Sequence, residues 1–398
     1  MSDDLWLVLP HLGAGGAQKV ALLAAERYLA MGWTVRLVTL LPGHPVVHQL
    51  PAGLFHTDLG PEVAAQWSLF FAPQRRLHRL VVKAMFSLGW PLVALAPWPV
   101  WRWCVEAIGG PQAELLRRRL AVDRPQRVLS MLSRTNILSC SALWDQPCHL
   151  VVSERNDLRR QTLPFPWPRL RRLLYRRADV LTANTDGVLD SLAALDGLRN
   201  PVLLPNPLPQ RSELGVVRAE VSPEGFIAVA RLVHQKGLDV LIDALAIAGG
   251  VAQGWTLTVV GEGPEREALM AQVTRLQLGD RVRFLGHRSD VTTLLAQAAV
   301  FVLPSRFEGM PNALLEAMAQ GLAVVVTDAS PGPLEEIDHG RNGWVVPSED
   351  VGALAQGLEQ LAADPSHRQR LGAAARERLL SRDWSQLAPI WDGVLRGT

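Results

Sequence analysis

Residues 300–316 read VFVLPSRFEGMPNALLE. The four apolar residues 300–303 have the composition of a short buried strand, Pro304 ends it, and residues 312–319 return to helical spacing after a polar loop. Strand, loop and helix in that order make half of a βαβ unit. Gly309 lets backbone approach a ligand closely at the helix start, where unpaired N–H groups favour anions. Glu308 lies in the loop and Glu316 eight residues on, inside the helix. Their carboxylates suit sugar hydroxyls and a ribose diol. By themselves, two glutamates at this spacing are also ordinary surface residues, and only the setting makes them informative.

The same alternation extends in both directions. Residues 225–229, 255–260, 282–285 and 323–327 read as strands and 344–347 as an edge strand, with helices over 237–248, 265–276 and 289–297. The N-terminal half opens with a strand at 5–9, a glycine-rich loop through Gly15 and Gly16, a helix over 17–31 and a strand at 33–40. Further strands are expected at 127–132, 149–153 and 179–183. Strands alternating with helices predict an α/β protein of two doubly wound parallel sheets. Residues 205–209, Pro-Asn-Pro-Leu-Pro, continue neither helix nor sheet and read as a linker. The expected domains are 1–205 and 206–380, with a helical tail over 381–398.

The length of 398 residues suits two domains, and 48% hydrophobic with 20% charged residues excludes a disordered chain. Cys104, Cys140 and Cys148 have neither metal-ligand nor disulfide-framework spacing. No basic, apolar leader precedes residue 5, so a cytoplasmic location is expected. Residues 1–205 carry 23 Lys and Arg against 15 Asp and Glu, whereas the remainder carries 17 against 23. A basic first half suits an anionic partner such as a phospholipid surface, a pyrophosphate or nucleic acid.

One segment, about 62–104, breaks the alternation. Arg75, Arg76, Arg79 and Lys83 would share one helical face, with Leu77, Leu80, Val81, Ala84, Met85 and Leu88 roughly opposite. Residues 84–101 hold no charge but are interrupted by Gly89, Pro91, Pro97 and Pro99. Trp90, Trp98, Trp101 and Trp103 suit a water–lipid boundary. The reading is an interfacial segment on an anionic membrane, with internal packing or a true span as alternatives. Arg169, Arg171, Arg172, Arg176 and Arg177 form a second basic run, either a binding patch or a solvated helix face.

The run from Pro304 to Gly321 resembles the donor signature of glycosyltransferase family 4. Residues 15–20 resemble that family's N-terminal glycine loop, residues 230–237 its basic diphosphate loop, 261–265 its second C-terminal turn and 284–287 its base-binding turn. The resemblance implies a GT-B fold, two Rossmann-like domains facing across a cleft. The first domain would bind the acceptor and the second the nucleotide-sugar donor. It also implies retention of anomeric configuration and neither cofactor nor obligatory metal, the nucleotide-sugar being a co-substrate.

On this resemblance Arg231 and Lys236 would neutralise the departing diphosphate, and Glu308 would hold the sugar. Donor contacts would come from Gly15, Gly16, Gly286, His287, Gly309, Met310, Pro311, Asn312 and Glu316. The family's N-terminal histidine has no counterpart in residues 130–136, so no catalytic base is assigned. Residues 151–156 resemble members that elongate lipid-linked or surface glycans. Arg134, Asn136, Glu154 and Arg155 are accordingly the acceptor-side candidates.

The expected activity is transfer of a hexose or N-acetylhexosamine, from a UDP-sugar, to a lipid-linked glycan at the inner face of the cytoplasmic membrane. Rival readings are a nucleotide-sugar epimerase, or another enzyme on the same fold, and a catalytically silent nucleotide-sugar-binding protein. The apolar insert argues against the first, and the set Arg231, Lys236, Glu308 and Glu316 against the second. Nucleic acid is not an expected partner, because no aromatic–basic repeat accompanies the basic half.

Overall fold

Two parallel sheets organise the chain. The computed structural model describes residues 3–70, 73–195, 197–208 and 224–397. One unit comprises residues 1–184, 188–204 and 388–398, and the other residues 185–187 and 205–387.

The first sheet contains β1 (Asp4–Leu9), β2 (Thr34–Thr39), β3 (Phe55–Asp58), β4 (Arg127–Met131), β5 (His149–Glu154), β6 (Val180–Ala183) and β7 (Val202–Leu203). Their order is β3-β2-β1-β4-β5-β6-β7, all parallel. The second contains β8 (Phe226–Val229), β9 (Leu257–Val260), β10 (Val282–Gly286), β11 (Val300–Leu303), β12 (Ala323–Thr327) and β13 (Trp344–Val346). Their order is β10-β9-β8-β11-β12-β13, again all parallel.

The central strands are continuous apolar runs because helices cover both faces. Every residue of β11 and β12 is buried. β3 escaped the sequence reading for the opposite reason. It is an edge strand reading Phe-His-Thr-Asp with Phe55 exposed, so neither an apolar run nor an alternation marks it. In each sheet the strand order reverses once, between β1 and β4 and between β8 and β11. Such reversals open a crevice at the carboxyl ends of the strands.

The tail expected over 381–398 is not separate. The helix Trp384–Arg396 gives residues from Ala388 onward to the first unit. There Trp391 is fully buried, and Asp392 accepts a 2.8 Å hydrogen bond from the Tyr28 hydroxyl. Burial and the neighbouring carboxylate raise the Tyr28 phenol far above its ordinary range, so it stays a donor.

The insert forms helices at Gly60–Phe70, Pro73–Leu88, Trp90–Ala94 and Trp98–Gly109. Here the amphipathic reading needs correction. Val82 and Phe86, on the side assigned to the cations, are fully buried, while Leu77, Leu80 and Leu88 face solvent. The wheel is turned because Val82 and Phe86 join the core containing Trp101, Cys104 and Val105. Trp101 is no boundary residue either, since it is buried and its indole N–H donates to the Val93 carbonyl at 2.7 Å. Trp98 is half-buried and stacks on Trp144 with centroids 5.1 Å apart. The side chains of Arg75, Arg76 and Trp90 lie outside the described residues. Among the described residues no helix is long and apolar enough to cross a membrane.

Trp391→Ala should destabilise the first unit by about 3–5 kcal/mol, the usual cost of an aromatic-sized core cavity. Denaturant unfolding of the full chain would test this, and a cost below about 1 kcal/mol would mean that the helix end is a loosely held appendage.

Candidate functional site

The crevice between β8 and β11 collects most of the second unit's expected functional residues. Arg231 and Lys236 lie on the loop after β8, and Glu308 on the loop after β11. The Lys236 ammonium donates to Glu308 Oε1 at 2.5 Å, with both side chains largely buried. The Ser305 hydroxyl donates to the same oxygen at 2.6 Å. Both bonds fall on Oε1, and Oε2 has no side-chain partner among the described residues. Arg231 is exposed and makes no side-chain bond or ion pair among the described residues. The crevice therefore presents one uncompensated cation and one cation shared with a carboxylate.

Close backbone packing puts these side chains together. Gly237 sits at φ +61°, and a β-carbon there would lie 2.0 Å from the Pro304 carbonyl oxygen. Only glycine lets the two loops approach so closely. A β-carbon on Gly263 would lie 2.3 Å from the Leu232 carbonyl oxygen, so the turn after β9 presses on the Arg231 loop in the same way. The Leu232 N–H donates to the Glu262 carbonyl and the Glu265 N–H to the Leu232 carbonyl, at 2.9 and 3.0 Å. Glu262 and Glu265 thus act through backbone, as turn residues.

Polar bonds then lock the loops. The Arg306 guanidinium forks onto Asp239 with two 2.8 Å bonds, donates to Glu349 at 2.9 Å and to the His234 carbonyl at 2.7 Å. The fork holds the Asp239 carboxyl below its ordinary range. Gln235 donates to the Phe307 carbonyl at 2.9 Å, and the Arg306 N–H to the Gln235 carbonyl at 2.8 Å. Behind Glu308, its own N–H donates to Ser330 Oγ at 2.9 Å. Asn206 donates to Asn312 Oδ1 at 2.6 Å and to the Met310 carbonyl at 3.2 Å. Sequence reasoning missed Ser305, Arg306, Asp239, Ser330 and Asn206. Each is a common polar residue, and all but Ser305, which lies three residues from Glu308, have partners remote in sequence.

Other donor candidates are distributed unevenly. Glu316 is buried on the helix Asn312–Ala319, and Pro311 and Asn312 form its start. Met310 packs its side chain in the core with Leu314 and Leu315, so it faces the crevice through its backbone rather than its thioether. Gly309 is buried, and its carbonyl oxygen lies 1.9 Å from where a β-carbon on Gly332 would stand, so residue 332 too must be glycine. Gly286 ends β10 at φ +70°, followed by an exposed His287. In the first unit, Gly15 caps the helix Gly16–Ala30 at the carboxyl end of β1. Beside that turn His11 stacks on His44 at 4.0 Å, and the Gly13 N–H donates to His11 Nδ1 at 3.0 Å. This histidine pair was also missed, because 33 residues separate its members.

The acceptor-side candidates need the largest correction. Glu154 is buried at the end of β5, with Oε1 taking the Tyr175 hydroxyl and Oε2 the Ser133 hydroxyl at 2.8 Å. Burial raises its carboxyl above the ordinary range. Asn136 is fully buried and donates to the Ser153 carbonyl at 2.9 Å. Arg155 is buried, and desolvation lowers its guanidinium to about 9. These three are internal, because the end of β5 turns inward against the helix Ser133–Ala142 and Tyr175. Arg134 alone of the four is exposed, with its guanidinium over the Trp167 ring at 5.4 Å. The second basic run is likewise no continuous patch. Arg171 is buried, and Arg177 donates to the carbonyls of Leu143, Gln146 and Cys148.

The paired Rossmann-like domains are the GT-B fold. One structure sharing that fold is Anabaena Alr3699/HepE, solved in complex with UDP and glucose, with TM-score 0.74, 18% identity and 99% of each chain covered. Residues 215–378 match the family model described as glycosyl transferases group 1. The lipopolysaccharide core biosynthesis glycosyltransferase LpsE of Rhizobium meliloti is 33% identical over 52% of this chain and 61% of its own. The putative colanic acid biosynthesis glycosyltransferase WcaL of Salmonella typhimurium is 35% identical over 43% of this chain and 44% of its own. The chain thus spans about half the length of these curated relatives, and both relatives and family model point to the glycosyltransferase class.

Glu335, just past the short helix Pro331–Leu334 behind the site, gives a pH signature. Burial, and then Asp186, push its carboxyl up to about 7 although the Gly187 N–H donates to it at 3.1 Å. A raised acid favours the folded state while protonated. That contribution is complete below the ordinary value of 4.5 and is lost as pH rises through about 7. Glu335→Gln should therefore raise the thermal midpoint relative to the parent at pH 8 more than at pH 5. An equal difference at both values would remove Glu335 as a source of pH dependence.

Proposed function

We propose that the chain is a retaining glycosyltransferase that moves a hexose or N-acetylhexosamine from a UDP-sugar to a glycan on a lipid carrier. The product would serve surface polysaccharide or lipopolysaccharide assembly, and the enzyme would work peripherally at the inner face of the cytoplasmic membrane. The observation that carries this reading is the Lys236–Glu308 pair in the β8/β11 crevice, with Arg231 on the same loop and unpaired among the described residues. The choice of UDP follows the nucleotide in HepE, and the class of product follows the names of LpsE and WcaL.

In the proposed reaction the bond between the anomeric carbon and the diphosphate oxygen breaks, and its electron pair leaves with the diphosphate. Arg231 and Lys236 stabilise the charge that builds there, in a crevice where fixed cations need not reorganise. Glu308 holds sugar hydroxyls through Oε2. The acceptor oxygen attacks from the face the diphosphate vacates, and its proton passes to the departing phosphate oxygen. No protein base is needed, which agrees with the reading that assigns none. The Gly15–Gly16 turn and the exposed Arg134 are the remaining first-unit candidates for donor and acceptor contact.

Purified protein should release UDP from one UDP-sugar only when a lipid-linked acceptor is present, and nuclear magnetic resonance of the product should show the donor's anomeric configuration. An inverted product would exclude the front-face route. Glu308→Ala and Lys236→Ala should each lower kcat by about 10²–10³, the usual loss for a group that stabilises developing charge or positions substrate. Near-normal turnover in both would discard the site.

Arg306 touches no ligand in this scheme and acts by positioning two loops. Arg306→Lys keeps the charge but loses the fork, so it should raise the Kd for UDP by roughly tenfold with an unchanged unfolding midpoint. Calorimetry would read the affinity, and an unaltered Kd would show that the loops hold without the fork.

A further inference from the structure

We propose that the outward face of the helices Pro73–Leu88 and Trp90–Ala94, with Leu95, is the surface by which the first unit docks on an anionic lipid bilayer. It rests on the membrane-peripheral reading above and names the face and the residues. Leu88, Leu92 and Leu95 are 89%, 76% and 84% exposed, and Leu77 and Leu80 60% and 63%. Leu77, Leu80, Val81 and Leu88 recur at helical spacing on one face, while Val82 and Phe86 anchor the other face in the core. The helix is thus held by its narrow inner stripe and offers a broader apolar stripe outward. Isolated exposed leucines need no explanation, but a contiguous run of this kind marks a binding surface.

Charge selects the occupant. Residues 63–105 contain five Lys and Arg and no Asp or Glu. Lys83 is exposed, and Arg79 on the same helix and Arg102 on the helix Trp98–Gly109 are half-buried. Trp103 is 37% exposed and packs edge-on to His78 at 5.8 Å, so it offers an amphipathic ring next to Arg102. A second copy of the same face would bring like charges together. An anionic bilayer accepts leucines into its acyl boundary and cations among its headgroups. The segment leaves the sheet at the carboxyl end of β3, the edge that also carries the Gly15–Gly16 turn and Arg134. Docking there would bring a lipid-borne acceptor to the strand ends of this unit.

The test is sedimentation of the full chain with phosphatidylcholine vesicles and with vesicles containing about 30% phosphatidylglycerol, a usual anionic fraction. The parent should bind the anionic vesicles. A variant carrying Leu80→Ser, Leu88→Ser, Leu92→Ser and Leu95→Ser should bind at least about tenfold more weakly, since each leucine contributes several methylenes. Lys83→Gln with Arg102→Gln should reduce the preference for anionic over neutral vesicles. Because these side chains are outside the core, circular dichroism should match the parent. Equal binding by the serine variant, or no binding by the parent, would overturn the proposal. So would a parent dimer that the serines dissociate without any vesicle binding. Transfer to a water-soluble acceptor analogue separates the two readings. Leucine-dependent vesicle binding without transfer to any acceptor would keep the docking surface and reject the transferase.

Discussion

A β-carbon on residue 237 would lie 2.0 Å from the Pro304 carbonyl oxygen, and the site depends on that coincidence. Strand reversal brings the loops after β8 and β11 to one crevice, but topology alone leaves side-chain distances undetermined. The missing side chain at Gly237 closes the last ångströms. Lys236 then reaches Glu308, and Arg306 reaches Asp239, because the two backbones are already in contact. Gly263 and Gly332 repeat the device on either side, each standing where another residue's carbonyl oxygen excludes a β-carbon. The loops are held as one block by absent atoms more than by strong bonds.

The buried pair at the centre of this block has little value as a stabiliser. Desolvation of a carboxylate and an ammonium roughly cancels their attraction, although removing one partner typically costs about 3–5 kcal/mol. A fold seeking only stability would place apolar side chains there. Keeping a lysine and a glutamate in contact, with a serine hydroxyl on the same carboxylate oxygen, maintains two charges in fixed positions. Preorganised charge is what a reaction with a departing anion needs. The supporting fork at Arg306 is partly exposed and screened, so its worth lies in geometry: two parallel bonds fix a plane as well as a distance.

The second unit was largely legible from sequence because its strands obey one rule. β11 and β12 are buried along their whole length and therefore appear as apolar runs closed by Pro304 and by Asp328. Arg231, Lys236 and Glu308 could be singled out because each lies in a loop after such a run, within segments that resemble a glycosyltransferase donor domain. Their supporters were not, since Asp239 with Arg306 and Asn206 with Asn312 are pairs made by tertiary contact alone. The first unit was harder for two reasons. Its edge strand β3 has no periodic signature, and its polar residues after β5 are divided between inside and outside by a turn that composition does not encode. Glu154 and Arg134 have equal claims on paper, yet one is enclosed by Tyr175 and Ser133 and the other lies open over Trp167.

The insert shows how such a reading fails and what the failure implies. An amphipathic wheel is conventionally divided into a charged outside and an apolar inside. The helix Pro73–Leu88 has too many apolar residues for that division, and burial of either apolar stripe exposes the other. Core packing settles the matter, because Val82 and Phe86 meet Trp101 and Val105 at full burial. The tryptophans drawn into that core, Trp98 and Trp101, lose the role that composition suggested. The leucines left outside acquire a role that the wheel had denied them. A segment whose inner face is already satisfied has no folding reason to keep leucine at positions 88, 92 and 95, so their exposure is better explained by a second solvent than by the first unit's own stability.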